Sequence, residues 1–148
     1  MTFKAFQTPD LLAFAFYGDI GPLVDYDTAS AVLVPVDPSF VVGPFTAPAN
    51  GIILATLEAP VTHFTGVDWT TWALFDAATN TLVGTDYGVI ATNSATQRTR
   101  VTLNFPVVLN PYQQYTLRWA HATPGGTARL TAGGIAGAAF MYIRTFFI

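Results

Sequence analysis

The sequence predicts an all-β protein, an antiparallel β-sandwich of jelly-roll type with an extended N-terminal arm. Three observations carry that prediction. No segment of the 148 residues combines helical apolar spacing with capping residues. Twelve glycines and ten prolines break the chain at short intervals, as the brief strands and turns of sandwiches and jelly rolls require. The third is residues 98–119, RTRVTLNFPVVLNPYQQYTLRW. Two strand-like segments meet there at an Asn110-Pro111 corner, and their aromatic and aliphatic side chains can fill a core from both sides. They are expected to form a pair on which the earlier strands pack.

Taken in order, residues 1–10 form an irregular arm that ends at Thr8-Pro9-Asp10. The rest, 11–148, is a single sandwich domain. Residues 11–17 (LLAFAFY) are apolar on both alternating faces, which suits a strand buried on both sides. Gly18-Asp19 and Gly21-Pro22 then break the chain. Residues 25–30 form a polar stretch of turn formers, and 31–36 a short strand. Pro35, Pro38, Pro44 and Pro48 make the section up to Asn50 a run of extended pieces and turns rather than a central strand. Asn50-Gly51 is a strong turn signal. It launches GIILATLEAP, where Ile52, Leu54 and Thr56 alternate with Ile53, Ala55 and Leu57. Residues 69–76 (WTTWALFD) turn through 77–80 into TLVGTDYGVIA, a hairpin. A polar loop at 92–96 precedes the central pair, and Thr123-Pro124-Gly125-Gly126 follows it. A short ARLTA strand and a very apolar final strand close the chain.

Composition narrows the function classes. Apolar residues make up 51% of the chain and charged residues 10%, against about 25% charged in an average soluble domain. So few charges leave much of the surface to be covered by copies of the chain or by a larger partner. The absence of cysteine excludes disulfides, thiolate metal sites and a thiol nucleophile. All nine acids lie at or before Asp86, and five of the six basic residues at or after Arg98. The two halves either pair within one sandwich or join neighbouring subunits. A net charge of −3 offers no basic face, so no nucleic-acid partner is expected. The longest low-polarity run, 132–143, is shorter than the roughly 20 residues that span a bilayer. MTFKAFQTPD lacks a secretory pattern, so no membrane partner and no export are expected.

No set of residues assembles a catalytic or cofactor site. His63 and Asp68 match no standard metal spacing, and two ligands are too few. His121 and the single glutamate, Glu58, have no partners at diagnostic spacing. Ser30, Ser39 and Ser94 lie outside any nucleophile elbow. Pro124-Gly125-Gly126 lacks the Lys and helix of a phosphate loop. Catalytic, metal and cofactor residues are therefore all expected to be absent. Trp69 and Trp72, with Tyr87 nearby, invite a sugar-platform reading. Their spacing in a strand puts the two indoles on opposite faces, so core packing is favoured for one of them. Arg98 and Arg100 share a strand face with Thr102 and can grip carboxylates, or simply form a solvated face.

The order GIILATLEAP, WALFDAATNTLVGT, FPVVLNPYQQYTLRW resembles jelly-roll and sandwich modules of bacteriophage structural proteins and of some carbohydrate-binding modules. Pro106-Val107, Leu109, Tyr115, Leu117 and Trp119 carry the likeness, while the usual glycine after the corner is replaced by Tyr112-Gln113. The final AAFMYIRTFFI resembles the last strand of trimeric jelly rolls of the tumour-necrosis-factor and complement-globular-head type. The resemblance implies a non-enzymatic virion protein made in the host cytoplasm and carried on the capsid surface. It would be a decoration (cement) protein that binds the major capsid protein or another virion protein. The alternative it implies is a lectin-like module of a tail, baseplate or fibre.

Both faces of the last strand are apolar, so one is expected to meet the opposing sheet and the other a neighbouring subunit. Phe140, Met141, Tyr142, Ile143, Phe146 and Phe147 are the candidate interface residues of a homotrimer. Phe3, Lys4 and Phe6 of the arm, with Arg98 and Arg100, are the candidate contacts to another partner. The arm has too little apolar periodicity to hold itself in place. Deleting residues 1–10 should therefore leave the thermal transition of the sandwich unchanged and weaken attachment to particles. A truncated chain that no longer unfolds cooperatively would make the segment an integral strand instead.

Overall fold

The period-two alternation that follows Asn50-Gly51 becomes the longest strand, and two layers of sheet assemble around it. The computed structural model describes residues 10–17, 24–37, 40–63, 68–91, 99–132 and 139–146. They contain β1 (Leu11–Tyr17), β2 (Val24–Thr28), β3 (Val34–Pro35), β4 (Val41–Thr46), β5 (Ile52–His63) and β6 (Asp68–Asp76). The remaining strands are β7 (Thr81–Ala91), β8 (Thr99–Val108), β9 (Gln114–Ala122), β10 (Ala128–Ala132) and β11 (Ala139–Thr145). The fold is an all-β sandwich whose described strand pairs are antiparallel.

In the larger sheet, β5 pairs along its length with β8, from Ile52↔Val108 to Val61↔Thr99. Its other side is shared. β11 pairs with Ile53 to Glu58, and β10 with Val61 to His63. Pro60, which has no N–H to donate, sits where one partner gives way to the next. β1 then flanks β11, and β2 flanks β10. The second sheet runs β3-β9-β6-β7, with β4 also on β9. The side chains of Ile53, Ala55, Leu57, Ala59 and Val61 enter the space between the sheets. They meet Trp72, Leu74, Leu117 and Trp119 there, and all of them are essentially inaccessible to water.

Residues 98–119 depart from expectation in an instructive way. Their two segments are strands, but they do not pair. β8 belongs to the larger sheet and β9 to the smaller, so the corner is an arch across the sandwich. A tight two-residue hairpin needs positive φ matched to the strand twist, usually supplied by glycine, and Asn-Pro-Tyr-Gln holds no glycine and a positive φ at Tyr112 alone. The inward residues of the two strands face each other instead, with the Phe105 and Trp119 ring centroids 5.3 Å apart. The arch is stitched to the β4–β5 loop. Leu109 N–H donates to Gly51 O at 2.7 Å, Tyr112 N–H to Ala47 O at 3.0 Å, and Ala47 N–H to Gln113 O at 2.9 Å.

Other expectations shift more modestly. Residues 25–30, expected as a turn, hold most of β2, because Tyr26 and Thr28 alternate inward with Asp25 and Asp27 outward. The short strand expected over 31–36 shrinks to Val34–Pro35. β1 occupies the expected residues, yet it is an edge strand with Phe14 49% exposed rather than buried on both faces. Asp10, placed in the arm, is tied to β11: its N–H donates to Thr145 Oγ1 at 2.7 Å, and its carbonyl accepts from Thr145 N–H at 2.9 Å. The rest of the arm, residues 1–9, lies outside the described residues.

Gly51 holds the junction of β5 and the arch at φ +69°, and a Cβ there would collide with the Leu109 carbonyl oxygen. Gly51→Ala should therefore cost about 2 kcal/mol or more, read as a drop in the denaturation midpoint at unchanged m-value. An unchanged midpoint would mean that the arch does not depend on this close approach.

Candidate functional site

Alternation along β11 decides what the larger sheet shows to the outside. Ala139, Met141 and Ile143 are fully buried toward the opposing sheet, so Phe140, Tyr142 and Arg144 point outward and stay partly accessible. The antiparallel register sets Phe14 of β1 beside Tyr142, and Thr56 of β5 on its other side. Asn104 of β8 lies next to Thr56. The result is an aromatic strip on an outer sheet face. The Phe14 and Tyr142 centroids are 5.3 Å apart, and Phe140 lies 6.3 Å from each of them.

A thin polar frame surrounds the strip. Arg100 Nε donates to Glu58 Oε1 at 2.9 Å while its guanidinium lies 5.5 Å from the Phe140 centroid. Arg144 lies 6.0 Å from the Tyr142 centroid and donates to Thr56 Oγ1 at 3.2 Å. Thr56 Oγ1 in turn donates to Asn104 Oδ1 at 2.7 Å. An exposed ion pair contributes about 0–1 kcal/mol, and an exposed cation–π contact about 0.5–1 kcal/mol. These contacts orient the rings without covering them. Beyond this frame on the same sheet, Arg129 bonds Asp25 Oδ2 at 2.8 Å and Asp27 Oδ1 at 2.6 Å. The Asp27 bond holds the Arg129 guanidinium above its ordinary pKa. Each of these ion pairs joins an early acid to a late base within one chain, the first of the two arrangements the charge sorting allowed.

Of the six expected interface residues, Phe140 and Tyr142 lie on the strip and Phe146 continues the outward set. Met141 and Ile143 are corrected: both belong to the chain's own core and offer nothing to a neighbour. Arg100 is engaged with Glu58 and Phe140. Phe3, Lys4, Phe6, Arg98 and Phe147 lie outside the described residues. Sequence reasoning missed Phe14, whose partner across the ladder depends on a register that no local pattern records. Trp69 and Trp72 do take opposite faces, Trp69 half exposed and Trp72 buried. The side chains of His63, Asp68 and Tyr87 lie outside the described residues.

The interior supplies no reactive constellation among the described residues, and no three His, Cys, Asp or Glu side chains there converge as metal ligands. Among the described residues His121 is the one strongly perturbed base. Burial lowers its pKa from 6.5 to about 4, against a smaller raising effect of Asp27. It stacks 5.4 Å from Trp72, and its Nδ1, like the Trp72 and Trp119 indole nitrogens, is buried without a hydrogen-bond partner. Such orphaned groups cost stability, which marks this corner as a weak point of the core.

No known family model matches the chain, and neither does any curated protein sequence. Some solved structures are similar to it in part. A carbohydrate-binding module of the Cellvibrio mixtus lichenase 5A, solved with cellotriose, is 12% identical over 90% of this chain and 98% of its own, with a TM-score of 0.43. A chain of infectious bursal disease virus, Gx strain, is 12% identical over 93% of this chain and 37% of its own, also at 0.43. The tailspike protein 4 of bacteriophage CBA120 is 13% identical over 84% of this chain and 19% of its own, at 0.28. At these identities and TM-scores the β-sandwich rests on the chain's own strand pairing.

The His121 environment makes a signed prediction. Above pH 6.5 the imidazole is neutral folded and unfolded, and the full stability is present. As pH falls from 6.5 toward about 4, only the unfolded chain takes up the proton, and about 3 kcal/mol is lost. The fall in Tm across this window should be shallower in His121→Gln than in the wild type. Parallel curves would show that His121 is not buried as a neutral base.

Proposed function

We propose that this chain is a non-enzymatic structural protein that assembles with copies of itself through the outer face of the larger sheet. The reading specifies a virion decoration protein, a homotrimer that binds the capsid surface and stabilises the shell. One observation carries it: the Phe14–Phe140–Tyr142 strip is an aromatic face that the described residues build and leave partly accessible, Phe14 most of all. Completing the burial of half-exposed Phe14 contributes about 1 kcal/mol, roughly half of the 1.5–3 kcal/mol for a full side chain, and the less exposed Phe140 and Tyr142 contribute less. Rings from both sides of a contact, with Leu54 and Pro106 beside them, then approach the lower end of the about 4–15 kcal/mol that association costs.

The very low charge of the chain supports the reading, as does the likeness of its last strand to those at the axis of trimeric jelly rolls. The virion assignment follows from the phage-protein pattern at residues 51–132. β11 lies between β1 and β5, so a copy approaches it face to face rather than by adding a strand to its edge.

Sedimentation separates the faces of β11. The native protein should run as a trimer at micromolar concentration. Phe140→Asp with Tyr142→Asp should give folded monomers, because Arg100 and Arg144 lie close enough to accept the new carboxylates. Met141→Asp should unfold the chain, since an unpaired charge in the core costs several kcal/mol. A native monomer, or a double variant that stays trimeric, contradicts the assembly claim.

A further inference from the structure

One end of the sandwich differs in chemistry from the rest. Residues 41–57, 77–85 and 101–117 contain no Asp, Glu, Lys, Arg or His. Backbone bonds gather the turns of these segments at that end: Leu109 to Gly51, Tyr112 to Ala47, and Ala77 N–H to Thr116 O at 2.8 Å. Asp76, at the start of one turn, is buried, and its Oδ1 accepts Ala78 N–H at 2.9 Å. At the tip of the arch Tyr112 is 74% exposed, and Val108 just before it is 75% exposed.

Tyr112 also holds φ +63°, the left-handed region that favours glycine and makes a bulky residue an outlier. Such a conformation persists where the surroundings over-determine it. Here the frame is made by other groups. Besides the backbone bonds to Ala47 and Gly51, Asn110 N–H donates to the Tyr115 hydroxyl at 3.1 Å, and Asn110 Nδ2 to Gln113 Oε1 at 3.2 Å. Glycine would serve this turn with less strain. What glycine cannot supply is an aromatic ring held out from the surface.

We propose that Tyr112, with the Asn110 and Gln113 carboxamides, forms a binding subsite for a neutral carbohydrate. The ring offers a platform for the apolar C–H face of a pyranose. Outside their mutual bond, the two amides leave a carbonyl acceptor on Asn110 and an N–H donor on Gln113 for sugar hydroxyls. The absence of basic side chains from these three segments favours this ligand class over phosphate, nucleic acid, acidic glycan or an anionic membrane, each of which calls for them. The subsite is separate from the aromatic strip on the sheet face. Several copies joined through that strip would present several tips and gain avidity, but the subsite itself does not depend on assembly.

The test is an array of immobilised neutral oligosaccharides (gluco-, manno-, galacto- and N-acetylglucosamine oligomers), with sialylated and sulfated counterparts, followed by calorimetry on whatever binds. The wild type should bind at least one neutral class. Tyr112→Gly should weaken that binding about tenfold or more while Tm does not fall, and Tyr112→Phe should keep it within about threefold. Failure to bind any neutral glycan, undiminished binding by Tyr112→Gly, or a requirement for an acidic group on the sugar would each overturn the proposal.

Discussion

The structure depends on β5 being hydrogen-bonded along both edges. Its twelve residues pair with β8 on one side and with β11 and β10 in succession on the other, so four strands of the larger sheet share one register. That register fixes two surfaces together. Sending Ile53, Ala55, Leu57, Ala59 and Val61 inward to meet Trp72 and Trp119 obliges Leu54, Thr56 and Glu58 to face out beside Tyr142 and Phe140. A slip of one residue would exchange the two sets and bury Glu58. The core and the candidate face are thus consequences of the same alternation, and neither can be altered alone.

Much of the fold was legible in the sequence because it was written in local signals. Asn50-Gly51 marked the start of β5, residues 77–80 marked the turn into β7, and ARLTA proved to be β10. Signals that depend on distant partners were not legible. The 98–119 segment looked like a pair because both halves are apolar, and nothing local says that β8 has already taken its partner in β5. Residues 25–30 read as a polar stretch of turn formers because aspartates suit turns, yet Asp25 and Asp27 lie in β2. They serve in a strand because Arg129, a hundred residues later, lies across the ladder to receive them.

The candidate site was half legible for the same reason. Two apolar faces on the last strand announced that something must cover each. Which face belongs to the core was settled by the packing of Met141 and Ile143 against the opposite sheet, and that packing is tertiary. Phe14 entered only through its register with Tyr142. Arg100 was expected to reach outward to a partner, yet it lies over the ring of its own neighbour Phe140, as Arg144 lies over Tyr142. They keep the strip oriented and leave its burial incomplete.

The central claim is that this strip is covered by another copy of the chain, and radical footprinting tests it directly. Oxidation of Phe14, Phe140 and Tyr142 is followed as the native protein is diluted from micromolar to nanomolar concentration, with Tyr112 at the arch as the internal reference. The account predicts that the three strip residues are protected when concentrated and become reactive on dilution, while Tyr112 reacts equally throughout. Strip residues as reactive in concentrated solution as in dilute would show that the face meets water, and the assembly account would be contradicted.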